Sequence, residues 1–322
     1  GLCFIVECRH PSICQRYVED ILSTQPNEIA TDGLLTRGIF SFGQYSDDSQ
    51  LAREMLQSYV SCKQFAPANY AQRIAAIFSE ERIVGRGRAT EEAAHRLIKG
   101  IPWTEAGTPS PSAGNGSAMR AAPIGLMFFD NPMDLVQCAI DQSRITHQDP
   151  RCAAGAVAIA GATAYVLTHK PLQPRLLLEQ LIQWITPIES SVAEALIQLQ
   201  DWLELSPEHA AIPIAQLGKN PDYSEAWHGI SPFVTSSVLW SLYSFLKNIN
   251  SYWETICTAI EVGGDVDTTA AMAGAMSGAY VGLERIPLQL AYHLNDQGTW
   301  NFDELIELVK EFYFLKFPNS LS

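Results

Sequence analysis

Basic residues are scarce in this chain. Its 322 residues carry 21 Lys and Arg against 35 Asp and Glu, a formal charge of -14. That balance excludes a general nucleic-acid binder, which needs a basic footprint. It does not exclude an anionic small molecule, because bound divalent cations reverse the local field. The seven cysteines form no C-x-x-C pair and no zinc-finger spacing. Cys3, Cys8 and Cys14 are neighbours and the other four are scattered, so free thiols in a reducing, cytoplasmic setting are expected. No N-terminal signal segment is visible. No apolar run is rich enough in Leu and long enough for a membrane span; residues 152–168 are Ala- and Gly-rich and read as a core helix. No strand pattern of period two recurs, and strand does not alternate with helix.

What remains is helical periodicity in a chain that is 47% hydrophobic. Short or regular helices are expected at Arg16–Leu22, after Ser46, at Ala68–Ser79, Thr90–Lys99 with Thr90 as cap, Pro132–Ser143, Pro171–Ile185, Ser190–Leu203, Phe233–Leu246, Tyr252–Val262 and Phe302–Phe314. Residues 33–45, 100–122 and 206–224 read as connections. The expected architecture is all-α: one compact domain over 1–322, an orthogonal bundle of about a dozen helices. Gly274, Gly278 and Gly282 recur every fourth residue, which suggests a smooth ridge for the helix at 152–168 to pack against.

Three stretches stand out chemically. Gly264-Asp265-Val266-Asp267-Thr268 precedes a helix of small and apolar residues, where unneutralised carboxylates are costly to bury. Ser46-Asp47-Asp48 opens another helix; two acidic residues there fit a dipole-complementing cap or a ligand set. Gly114-Asn115-Gly116-Ser117-Ala118-Met119-Arg120 lies in the longest loop and is a turn able to offer backbone N–H groups to an anion. His147 stands at the entry of the apolar helix. Gly85-Arg86-Gly87-Arg88 is set aside as a dinucleotide motif, lacking a third glycine and a preceding strand. An EF-hand fails, since Ala270 and Met276 occupy its Gly and Glu positions. Zinc fails for want of His or Cys beside the carboxylates. Four Asp with hydroxyl neighbours suit hard cations, a pair of Mg2+ with Mn2+ as a substitute.

These three motifs, in this order and spacing from about residue 30 to 285, resemble the ADP-ribosylglycohydrolase family. The resemblance implies an all-α fold and two Mg2+ ions. It implies cleavage of the glycosidic bond between ADP-ribose and a modified Arg or Ser side chain of a protein. By position, Ser46, Asp47 and Asp48 match ligands of one metal and Asp265, Asp267 and Thr268 those of the other. Gly114, Asn115, Gly116, Ser117 and Met119 match a pyrophosphate loop, and His147 a residue lining the ADP-ribose cleft. Glu7 stands where many members have a glutamate near the metals. Asp47, Asp48 and Glu7 are the candidate catalytic carboxylates, with Asp48 and Glu7 both open as the base. Ser46 and Val266 stand where the family has Thr, and the family's N-terminal Gly-Asp-Ala-like helix is expected to be missing. A silent ADP-ribose-binding or crystallin-like member, and a hydrolase of a small ADP-ribose-like compound, are the competing readings. No membrane partner is expected; the oligomeric state is not set by the sequence, and a monomer is the simplest reading.

Overall fold

The computed structural model describes residues 3–23, 36–217 and 227–318. The chain runs through α1 (Pro11–Ser23), a hairpin of β1 (Thr36–Arg37) and β2 (Phe40–Ser41), then α2 (Asp47–Cys62), α3 (Pro67–Ser79), α4 (Arg88–Ile98) and the short α5 (Trp103–Ala106). The central helices are α6 (Ala122–Phe128), α7 (Pro132–Arg144), α8 (Pro150–Thr168), α9 (Pro174–Ile185), α10 (Ser190–Trp202) and α11 (Pro207–Gln216). The last are α12 (Val234–Lys247), α13 (Tyr252–Glu261), α14 (Val266–Val281), α15 (Leu288–Ala291) and α16 (Phe302–Lys316). The all-α expectation holds: among the described residues the strands are two residues each, paired antiparallel with Thr36 opposite Ser41.

The helix starts follow local chemistry. Proline opens α3, α7, α8, α9 and α11, where its missing N–H costs nothing. Asn301 and Glu304 form a reciprocal capping box on α16. α8 reaches the length and apolarity of a membrane span, but 78% of that stretch is buried inside the bundle. Its small side chains let α6, α7, α9, α10, α12 and α14 crowd around it. Gly125 of α6 lies against the carbonyl of Ala160, and Gly155 lies against Val234 and Val238 of α12. Polar side chains inside the core are satisfied locally. Ser241 of α12 donates to the Thr269 carbonyl of α14 at 3.0 Å, and the Trp240 indole donates to the Ala259 carbonyl of α13 at 3.1 Å.

Several boundaries differ from the sequence expectation. Thr90 does not cap its helix; α4 begins two residues earlier, with Gly87 as the cap. The connection expected at 206–224 contains α11, which tolerates Pro213 inside it; residues 218–224 lie outside the described residues. The loop expected at 33–45 contains the hairpin, because Gly38 adopts a positive φ and turns the chain; residues 33–35 are outside the described set. The glycine ridge of α14 faces α13, not α8: a side chain at Gly274 would meet Ile256 and Tyr252, and one at Gly278 would meet Tyr252 and Ile286. α14 is apolar on every side, so periodicity could not say which neighbour lies on which face.

A methyl group at Gly125 would stand 2.3 Å from the Ala160 backbone oxygen. Backbone cannot swing aside as a side chain can, so Gly125→Ala should cost about 1–3 kcal/mol of stability. Urea denaturation measures this; an unchanged midpoint would mean that α6 and α8 can separate without loss.

Candidate metal centre and ligand cleft

Two helix N-termini meet at one point. α2 begins at Asp47 and α14 at Val266, with Ser46 and Asp265 in the cap positions. Neither cap side chain accepts a hydrogen bond from the backbone of its own helix. The Ser46 hydroxyl instead lies 2.7 Å from Asp48 Oδ2 and 2.8 Å from Asp267 Oδ2, across 221 residues of sequence. An ordinary acidic cap is therefore not what this segment forms. One hydroxyl carries one proton and can serve one of those oxygens; the other contact needs a second proton or a cation.

Asp265 is set by a backbone crossing. Its N–H donates to the Ile230 carbonyl at 2.8 Å, and the Gly264 carbonyl accepts from Cys8 N–H at 2.9 Å. Gly229, Gly263 and Gly264 all have positive φ, and a Cβ at Gly264 would fall 2.1 Å from the Ile230 oxygen. Glycine is required there for two strands of chain to touch. The crossing also brings in the N-terminal segment. Glu7, Asp265 and Asp267 each offer a carboxylate oxygen, all within 4.8 Å of one another. Arg37, from the hairpin, pairs with Glu7 and donates to the Phe4 carbonyl at 2.8 Å.

Asp47 and Asp48 are held from the other side. Asp47 N–H donates to the Val84 carbonyl at 2.7 Å, and Gln50 joins Val84 N–H to Asp296. Arg53 spans Glu54 and Asp296 in a buried ion-pair network. These contacts lock the first turns of α2 against the 82–85 and 295–300 segments.

The acidic group is out of electrostatic balance. Asp47, Asp48, Asp265, Asp267 and Thr268 are all buried. Burial and mutual repulsion with Asp48 and Asp267 hold Asp47 far above the usual carboxylate range. Burial, then Asp267, does the same to Asp265. Burial and Asp267 push Asp48 up to about 7 against the opposing hydrogen bonds of Ser46 and Thr268. Burial and Asp267 push Glu7 to about 7 although Arg37 pulls the other way. One guanidinium does not neutralise five acids. Among the described residues, Asp48 Oδ1 and Asp267 Oδ1 are buried with no hydrogen-bond partner. Asp267 belongs to the Glu7–Asp265–Asp267 cluster and Asp48 is linked to it through Ser46, so these carboxylates are donors of the type a hard divalent cation such as Mg2+ takes.

Beside this centre lies the loop 114–119. Among the described residues, the N–H groups of Asn115, Ala118 and Met119 are consumed, by the Pro232 and Asn115 carbonyls. Among the described residues, the N–H groups of Gly116 and Ser117 take no protein acceptor. The expected anion cradle thus narrows to these two. The Asn115 amide is not free either: it donates to Asp265 Oδ2 at 2.6 Å and to Ser237 Oγ at 3.0 Å, tying the loop to α14. The Ser117 hydroxyl, expected to face an anion, donates to the Cys152 carbonyl of α8 at 3.1 Å. Met119 is buried in the main core. His147 packs on the loop. A Cβ on Gly116 would stand 2.9 Å from His147 Cε1 and 3.0 Å from Thr90 Oγ1, and one on Gly114 would stand 3.5 Å from His147 Nε2. Burial, then the nearby Arg120 charge, lowers His147 to about 3, so the imidazole is neutral.

Four features of the site were not singled out from sequence. Arg37 carries no motif. Thr90 was read as a cap. Gly85 and Gly87 belong to the discarded motif, yet they wall Asp47, with a Cβ at Gly85 falling 3.1 Å from Asp47 Oδ1. Their paired spacing was the available signal, and it reported closeness to a carboxylate rather than to a nucleotide.

With this geometry in view, the sequence model of the ADP-ribosylglycohydrolase family matches residues 6–319. The chain belongs to that family. The ADP-ribosylhydrolase ARH3 of Xenopus tropicalis is 28% identical over 301 residues, covering 86% of this chain and 84% of that one. The ADP-ribosyl-[dinitrogen reductase] glycohydrolase of Rhodospirillum rubrum is 21% identical over 249 residues, covering 76% and 71%. A solved ADP-ribosylglycohydrolase-related protein complex superposes with a TM-score of 0.64 at 21% identity, over 96% of this chain and 99% of that one; it shares the fold.

The raised carboxyls make a linked prediction. Asp48 moves from 3.8 to about 7 and Glu7 from 4.5 to about 7 on folding without metal. A raised carboxyl contributes stability that is full below its unfolded pKa and is lost as pH rises through the folded one. The metal-free protein should therefore lose on the order of a few kcal/mol between about pH 4 and 7 from these groups. Saturating Mg2+ replaces the protons, so the Tm gain it produces should grow from about pH 5 to pH 7. Thermal melts with Mg2+ and with EDTA across that range test this. A gain that is zero or independent of pH rules out a cation at these acids.

Proposed function

We propose that the protein is a Mg2+-dependent hydrolase that releases ADP-ribose from a modified protein side chain, arginine or serine. The observation that carries the reading is a juxtaposition. A buried acidic centre with orphaned Asp48 and Asp267 oxygens adjoins a loop whose free N–H groups and His147 suit a diphosphate. Family membership and the names of the relatives support the same direction. The work falls to one all-α unit over the chain, and seven free thiols suit the cytoplasm.

Ser46, Asp47, Asp48, Asp265, Asp267 and Thr268 are the residues that would hold two Mg2+. Bound there, the ions would supply positive charge for oxygen ligands and for a water. The bond broken joins the anomeric carbon to the side-chain nitrogen or oxygen. Water supplies the new oxygen, and one proton must reach the leaving atom. Glu7 is the better placed of the two open candidates for moving it. Its side chain keeps 19% exposure, whereas Asp48 is enclosed and bonded to Ser46. Arg37 holds one Glu7 oxygen beside the acidic centre, and the other accepts from the Cys8 thiol at 3.6 Å, a weak contact that a substrate proton can replace. The neutral His147 and the Gly116 and Ser117 N–H groups are donors for the diphosphate, which reconciles an acidic protein with an anionic substrate.

Peptides carrying ADP-ribosyl-serine or ADP-ribosyl-arginine should release ADP-ribose in Mg2+ and not in EDTA, as read by chromatography. Asp267→Asn should lower kcat by about 100-fold or more, the scale expected when a group preorganised around the reacting centre is lost. Release from neither peptide in excess Mg2+, or near-normal turnover by Asp267→Asn, would falsify the assignment.

A further inference from the structure

Arg120 stands out from every other arginine in the described residues. It is fully buried and no carboxylate lies within ion-pair distance of it among the described residues. Arg53, similarly buried, has both Glu54 and Asp296. A buried guanidinium without a paired anion is costly and is kept only where its charge or its donors are used. Its Nε donates to Gln142 Oε1 at 3.0 Å, and Nη2 donates to the Gln142 carbonyl at 3.2 Å and to Thr146 Oγ1 at 2.6 Å. The guanidinium carbon lies 5.6 Å from the Tyr70 ring centre. Among the described residues, Nη1 is buried with no hydrogen-bond partner.

The contact with Thr146 has a consequence one bond further. Thr146 Oγ1 also lies 2.8 Å from His147 Nδ1. The hydroxyl already accepts from Arg120, which can only donate. Its own proton then goes to Nδ1, the one acceptor bonded to it among the described residues. Nδ1 as acceptor leaves the proton of the neutral imidazole on Nε2. Nε2 is the atom that faces Gly114 and Gly116, and no protein acceptor takes it among the described residues.

We propose that Arg120 is a positioning residue: through Thr146 it locks His147 as the Nε2–H tautomer, so that a donor faces the anion-binding loop. The inference rests on the ADP-ribose reading of that loop. It names how the loop recognises its diphosphate, by an imidazole N–H whose direction is set from behind. Arg120 adds its charge to the same face, a fixed positive field where the ligand's phosphates would sit. Lysine cannot reproduce the device. A planar fork reaches Gln142 and Thr146 together, whereas an ammonium is a single point.

The test uses the full chain with Mg2+, and reads two quantities. Two-bond proton–nitrogen correlation spectra of 15N-labelled imidazoles report the His147 tautomer, and calorimetry reports the affinity for ADP-ribose. Thr146→Val removes only the hydroxyl at near-constant volume, Thr146→Ser keeps it, and Arg120→Lys keeps charge but not the fork. Wild type and Thr146→Ser should show the Nε2–H pattern. Thr146→Val and Arg120→Lys should lose that single pattern, and both should bind ADP-ribose about tenfold more weakly, the scale of one lost hydrogen bond to a charged group. Wild type in the Nδ1–H form overturns the proposal. So does Thr146→Val that keeps the wild-type tautomer, or loses it with unchanged affinity. Wild type that shows the Nε2–H pattern but binds no ADP-ribose overturns the reading of the cleft, and the ligand role of the relay falls with it.

Discussion

Repulsion among buried carboxylates is the constraint from which the rest of this structure follows. Asp47, Asp48, Asp265 and Asp267 occupy the first turns of α2 and α14 or the position before them, and both turns are buried. The positive ends of two helix dipoles favour negative charge there, but by about 1 kcal/mol each at most sites. That is small against the desolvation of four acids. The chain holds them together anyway, with backbone crossings, glycines and a ring of hydrogen bonds. Among the described residues, one oxygen each of Asp48 and Asp267 stays buried without a hydrogen-bond partner, the kind of donor a hard cation would satisfy.

The surrounding architecture serves that arrangement. α8 and α14 are built from small residues, so neighbouring helices approach closely and the loops at their ends have little freedom. Gly229, Gly263 and Gly264 let the 230 and 264 segments touch. The Arg53–Asp296 pair anchors α2 to a segment near the end of the chain. Asn115 bonds Asp265 directly, so the acidic centre and the anion loop are one connected unit rather than two neighbours. On the far side of that loop, Arg120 and Thr146 set the proton position of His147.

Much of this was legible before any fold was seen. Ser46-Asp47-Asp48 and Asp265-Val266-Asp267-Thr268 declared themselves as more acid than a cap needs. The Gly114–Met119 turn read, from its glycines alone, as backbone able to offer N–H groups to an anion. Individual roles inside the turn were not legible. Asn115 and Ser117 have side chains that could face a ligand or the protein, and the protein took both. Arg37 was invisible because a lone arginine in a glycine-rich stretch has no pattern; only the hairpin brings it to Glu7.

Composition and local spacing by themselves determined that the chain is helical, that its acids exceed its structural needs, and which helix ends bear them. Those are properties of residues within one or two turns of each other, where geometry is set by the backbone. Tertiary structure alone decided which ends meet, which face of α14 its glycines present, and whether a given hydroxyl or amide is spent on the protein. Such outcomes depend on partners distant in sequence, as Ser46 and Asp267 are at 221 residues and Tyr45 and Trp300 at 255. An apolar helix with no polar face offers no local signal of its neighbours.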